Sequence, residues 1–238
     1  MPGKPNILLV HGAWGDGSHW RHIIPSLHEK GFRVLAVQNP LTSLSEDIDR
    51  TSKLAAALEG PTLLVGHAYG CAVITGAGHT PNVVGLVYLA GPALDEGETL
   101  HSLWARRAPP EGAANIHRDK YGFLWIEIDK FHETFCHDLE DKTESLVWAL
   151  TQKPTAARCF EEASGAPAWK LKPSWYQISE YDRLIPTETE QWMAERIKAK
   201  KTISLPTSHA SIATYPSEIV NLIEEASNAI GTRAEETP

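Results

Sequence analysis

Apolar residues in this chain fall into two kinds of grouping. Short runs over 6–10, 32–37, 62–65, 83–90, 175–179 and 202–205 contain few or no polar positions, as strands covered on both faces do. Between them the apolar positions recur at helical spacing. Trp20, Ile23, Ile24 and Leu27 follow a prospective N-cap at Ser18 and stop at Lys30-Gly31. Ile48, Leu54, Ala55 and Leu58 lie within 45–59 and stop at Gly60; Cys71 to Ile74 follow Gly70. Trp192, Met193 and Ile197 mark a later helix, entered through Pro186-Thr187 with Glu190 as a capping box. Ile219, Leu222, Ile223, Ala226 and Ile230 form one face of a last helix over 217–230. Strands alternating with helices predict an α/β protein built on a mostly parallel sheet.

The alternation lapses between residues 92 and 173. A structureless loop of that length is improbable in a compact domain, so the segment reads as a helical cap inserted into a core made of 1–91 and 174–238. The polar tail from Gly231 reads as frayed.

Composition narrows the function. A formal charge of −8 over 238 residues, with one short basic run at Lys198-Ala199-Lys200-Lys201, argues against nucleic acid as a partner. Three widely spaced cysteines, Cys71, Cys136 and Cys159, suggest neither a disulfide framework nor a zinc ribbon. The chain enters its first strand without an apolar leader and has no run long enough to span a bilayer. The expected setting is the cytoplasm, with no membrane partner.

The densest signal is Thr62-Leu63-Leu64-Val65-Gly66-His67-Ala68-Tyr69-Gly70. It reads as a buried strand, a sharp turn and a helix start, the pattern G-x-S-x-G with alanine where serine is expected. Two more chemically suggestive positions follow in order. Asp182 lies in Ser179-Glu180-Tyr181-Asp182-Arg183-Leu184-Ile185-Pro186, and His209 stands between the last strand and the last helix. Upstream, His11-Gly12-Ala13-Trp14-Gly15-Asp16-Gly17 is a glycine-rich loop that lacks both the phosphate-loop and the dinucleotide spacing.

With these segments in this order the chain resembles the α/β-hydrolase fold, in its small, lidded esterase or lactonase form. The resemblance runs from the His11-Gly12 loop to the final helix. It implies a nucleophile at position 68, Asp182 as the acid and His209 as the base, with Asp95 in reserve as acid. It further implies that the backbone N–H groups of Ala13 and Tyr69 hold the developing oxyanion. No cofactor or metal is implied. His132 and His137 are five apart instead of the four that a zinc helix needs, and His19, His22 and His28 make no better set. Trp14, Trp104, Trp125 and Trp148, with Phe123, Phe131 and Phe135, suggest a pocket for a small apolar or aromatic ester or lactone.

Alanine carries no nucleophilic atom, so the chain as written forms no acyl-enzyme by this route. Either a serine has been replaced, or this is a naturally inactive relative. Retention of the elbow glycines, acid, base and oxyanion loop together favours replacement. The same fold also hosts hydroxynitrile lyases, cofactor-free oxygenases and hormone-type receptors, and a non-catalytic ligand-binding relative is the remaining alternative.

Overall fold

The computed structural model describes residues 4–106 and 109–235. Strand β1 (Asn6–Val10) leads through a 3₁₀ turn and helix α1 (Ile24–Glu29) to β2 (Val34–Ala36) and α2 (Leu44–Ala56). Then come β3 (Thr62–His67), α3 (Tyr69–Ala77) and β4 (Val83–Leu89). The inserted segment holds α4 (Leu100–Ala105), β5 (Ile116–Arg118), β6 (Phe123–Ile126), α5 (Phe131–Phe135), α6 (Lys142–Leu150), β7 (Thr155–Ala156) and α7 (Arg158–Glu161). The alternation resumes with β8 (Ser174–Ser179), α8 (Thr187–Arg196), β9 (Thr202–Leu205), α9 (Ser211–Thr214) and α10 (Pro216–Glu235).

Six strands form one parallel sheet in the order β2-β1-β3-β4-β8-β9. Alternate residues of its central strands feed two separate cores. Leu8, Val10, Leu64, Leu86 and Tyr88 pack toward α2, α3 and the inserted segment. Ile7, Leu9, Leu63, Val65, Val87 and Leu89 pack toward α10 and Trp20. Both faces are therefore buried, which is why the strands read as continuous apolar runs. From β1 the chain crosses to β2 on one side and then to β3 on the other. Such a reversal opens a crevice beyond the C-terminal ends of the two central strands.

The structure departs from the sequence expectation in four places. The first helical stretch is broken: Asp16, not Ser18, caps a 3₁₀ turn over Gly17–Trp20, and α1 starts only at Ile24 with Pro25 in its first turn, where no N–H is needed. The inserted segment is not wholly helical, since β5, β6 and β7 form a small antiparallel sheet. Glu190 makes no capping box; its side chain turns inward. The last helix runs through Gly231 to Glu235 where a frayed tail was expected.

Among the described residues, no helix is long and apolar enough to cross a membrane.

Candidate active site

Ala68 sits at the turn between β3 and α3 with φ 52° and ψ −126°. A non-glycine residue held there costs on the order of 1–3 kcal/mol and persists only where its surroundings enforce it. The surroundings here do so. Ala68 N–H donates to the Leu89 carbonyl at 3.0 Å, and its own carbonyl accepts from Cys71 N–H at 2.9 Å. The flanking glycines permit the tight approach: a Cβ on Gly66 would stand 2.7 Å from the Gly70 carbonyl oxygen, and one on Gly70 would strike the Val10 carbonyl.

The loop after β9 brings His209 to the same place. Its Nδ1 donates to Asp182 Oδ2 at 2.5 Å, and both side chains are buried. The other carboxylate oxygen, Oδ1, accepts the N–H groups of Leu184 (2.7 Å) and Ile185 (3.0 Å). A proton on His209 Nδ1 leaves the lone pair on Nε2. Asp95, the reserve acid, is elsewhere, paired with Lys170 at 2.5 Å.

The loop after β1 lies against the elbow. A Cβ on Gly12 would come within 2.8 Å of the Ala68 methyl. His11 holds this loop. Its Nε2 accepts Asn39 N–H at 3.1 Å, so its proton is on Nδ1, which donates to the Gly12 carbonyl at 2.9 Å. Burial pushes the His11 imidazolium pKa down to about 4, consistent with this neutral tautomer. In a trans peptide the C=O and the next N–H point opposite ways, so fixing the Gly12 carbonyl also fixes Ala13 N–H. Among the described hydrogen bonds, the backbone N–H groups of Ala13 and Tyr69 have no acceptor within the chain.

Ala13, Trp14, Ala68, Tyr69 and His209 line one cavity, which encloses about 710 Å³ with its open mouth included. Its remaining wall is apolar apart from Thr189, and among the described residues no lysine, arginine, aspartate or glutamate lines it. Phe160 organises the aromatic part: it stacks on Tyr69 (centroids 6.1 Å, 8° between planes) and packs against Trp104 (5.5 Å) and Trp14 (6.0 Å). Tyr69 is pinned at its far end, its hydroxyl donating to the buried carboxylate of Asp47 at 2.7 Å.

Of the four tryptophans expected at the pocket, Trp14 and Trp104 line it and two do not. Trp125 lies in β6, none of whose residues lines the cavity, and its Nε1 donates to Asp119 at 3.0 Å. Trp148 is buried and stacks on His19 with centroids 4.5 Å apart. Phe131 and Phe135 are buried, and Phe135 meets the His209 ring edge to face at 5.0 Å. Phe160 carries no periodic or motif signal, which is why sequence reasoning missed it. His132 bonds Ser145 Oγ and Lys142 Nζ, and among the described residues no three potential metal ligands converge.

Curated relatives and solved structures agree with this architecture. The chain is 27% identical over 244 residues to the alpha/beta hydrolase nvfD of Aspergillus novofumigatus, covering 94% of this chain and 96% of that one. It is 24% identical over 256 residues to the pyrethroid hydrolase of Sphingobium wenxiniae, covering 94% and 88%. The crystal structure of a pyrethroid hydrolase from Sphingobium faniae superposes with a TM-score of 0.81 at 21% identity, covering 94% of this chain and 98% of that one, a likeness of fold. The profile of the alpha/beta hydrolase family matches residues 7–222, and the chain belongs to that family.

Proposed function

We propose that this site is the centre of a serine hydrolase acting on carboxylic esters or lactones, with Ala68 standing where a serine nucleophile belongs. The observation that carries this reading is the pairing of a strained alanine at the elbow, φ 52°, with a buried imidazole bonded to a carboxylate at 2.5 Å. An alanine gains nothing from that backbone conformation, whereas a nucleophile presented at a cavity floor does.

With serine at 68, its Oγ attacks the substrate carbonyl carbon while His209 Nε2 takes the hydroxyl proton. The carbonyl oxygen becomes an oxyanion facing the N–H groups of Ala13 and Tyr69. Collapse breaks the bond to the alkoxy oxygen, which leaves with the proton from His209. Water then attacks the acyl-enzyme with His209 again as base, releasing the acid and restoring the serine. Asp182 holds the imidazole tautomer and stabilises the imidazolium. With a methyl group at 68 the first bond cannot form, so this chain binds without turning over by this route.

The cavity wall supports an uncharged, aromatic or otherwise apolar substrate, since away from His209 and the Ala13 and Tyr69 N–H groups the described lining residues offer a buried charge no ionised partner. Two relatives carry names of the same kind, the pyrethroid hydrolase and, over 47% of this chain, a carbendazim hydrolyzing esterase of Nocardioides. A lyase reading asks for a lysine or other cation at the pocket, and among the described residues no lysine or arginine lines it.

The decisive experiment is Ala68→Ser, assayed on aryl esters, short-chain esters and lactones. Turnover should rise by on the order of a millionfold over this chain. A folded Ala68→Ser protein that stays silent across the panel overturns the proposal.

A further inference from the structure

Glu190, in the first turn of α8, is wholly buried. Its Oε2 accepts Ser179 N–H at 3.0 Å, while among the described residues its Oε1 meets no N–H or O–H donor. Among the described residues, the side-chain group that faces this carboxyl at hydrogen-bonding range is the carboxylate of Asp182. Two carboxyl groups thus share one buried compartment behind His209.

Counting lone pairs shows how they fit. An ionised carboxylate offers about four acceptor sites. On Asp182, Leu184 N–H, Ile185 N–H and His209 Nδ1–H occupy three. One remains, and Glu190 presents an oxygen that lacks a donor and would become one by carrying a proton. The other titratable groups facing Glu190 are Tyr176 from β8 and Cys71 from α3. Burial raises the pKa of both, so they stay neutral, and the Tyr176 hydroxyl is committed to the Gly91 carbonyl at 2.6 Å. Among the described residues, no cation acts on Glu190 to offset a second negative charge.

Two effects favour ionising Glu190: the Ser179 N–H and, more weakly, the N-terminus of α8. Against them stands the larger cost of a buried unpaired charge, together with repulsion from Asp182. Burial first, and Asp182 second, hold the Glu190 carboxyl well above the usual range.

We propose that Glu190 is a positioning residue, a neutral carboxylic acid that donates its proton to Asp182, completes that carboxylate's hydrogen bonds and locks its orientation toward His209. The proposal rests on the reading of Asp182 and His209 as acid and base. Its first two tests do not depend on ester hydrolysis, so the two can fail separately.

Infrared spectra of the chain as it stands should show, at neutral pH, a protonated-carboxyl C=O band that disappears in Glu190→Gln. Nuclear magnetic resonance titration of the His209 ring gives the second test. In Glu190→Gln the amide oxygen can keep the Ser179 bond and the amide N–H₂ can replace the acid proton, so the His209 midpoint should stay in place. An ionised Glu190 would have been stabilising the imidazolium, and its replacement by glutamine would lower that midpoint. Glu190→Leu removes the donor and should raise the His209 proton affinity by about tenfold, roughly one pH unit. In the Ala68→Ser background, Glu190→Leu should lower kcat about tenfold or more with KM unchanged, and Glu190→Gln should restore it. Absence of the band at neutral pH, or a lowered His209 midpoint in Glu190→Gln, overturns the proposal whether or not Glu190→Leu folds.

Discussion

The Nε2 atom of His67 lies 2.8 Å from the carbonyl oxygen of His209, tying the residue before the elbow to the backbone of a histidine 142 positions later. A carbonyl only accepts, so His67 carries its proton on Nε2, and burial holds it neutral. His67→Phe fills similar volume but leaves the His209 carbonyl without its partner in a buried place. The expected cost is about 1–3 kcal/mol, read from the urea midpoint. An unchanged midpoint would mean that this bond does not anchor the loop.

Three buried histidines should make the fold acid-labile. Burial depresses the pKa of His11 to about 4 and of His19 to about 3, and places His67 well below its ordinary value. Unfolded histidines take up protons as pH falls through about 6.5, while these folded ones refuse them, so stability declines below that point. The decline should continue until the folded pKa values are reached, near 4 for His11 and near 3 for His19. Denaturant midpoints measured from pH 8 to pH 4 should fall steadily below pH 6.5, and His11→Gln should flatten the slope by up to one proton.

Ala68 stores strain that glycine would release. Relief of roughly 1–3 kcal/mol, offset by roughly 0.5–1 kcal/mol of extra chain entropy, predicts that Ala68→Gly stabilises the protein by about 1 kcal/mol. A rise in thermal midpoint checks this. A fall would show that the methyl group's packing against the cavity floor outweighs the backbone term.

In the Ala68→Ser protein, Asp182→Asn should lower kcat by about 10⁴-fold while leaving the substrate contacts intact. The asparagine amide can present its N–H₂ to His209 and favour the wrong imidazole tautomer. A loss of less than about tenfold would remove Asp182 from the acid role.

The tryptophans should separate by location. Trp104→Ala opens the cavity wall beside Phe160 and is expected to raise KM for an aryl ester about tenfold in the Ala68→Ser protein, with little change in stability. Trp148→Ala removes a buried ring that stacks on His19, and should cost about 3–5 kcal/mol of stability. Trp125→Phe should change neither KM nor kcat, since the ring does not line the cavity.

Most of the sheet and the order of the site were legible in the chain. Runs such as Val83 to Leu89 are apolar at successive positions because both faces of the parallel sheet are covered, and this constraint acts residue by residue. Gly66 and Gly70 were readable for a similar reason: backbone packed that close tolerates no Cβ, so the requirement is written at the positions themselves. Asp182 and His209 could be named from their places relative to strands, and the 2.5 Å bond between them followed once those strands were adjacent.

What tertiary structure alone decided is which side chains face one another across elements distant in sequence. Trp104 and Trp148 look alike in the chain, yet one lines the cavity and the other stacks on His19, because docking of the inserted segment and not local periodicity sets their neighbours. The short strands β5, β6 and β7 gain their pairing only from each other, so their few residues carry too weak a pattern to announce a sheet. Glu190 had the spacing of a helix cap and became a buried partner of Asp182, since burial and a neighbouring charge are properties of an assembled place and leave no trace in residue order.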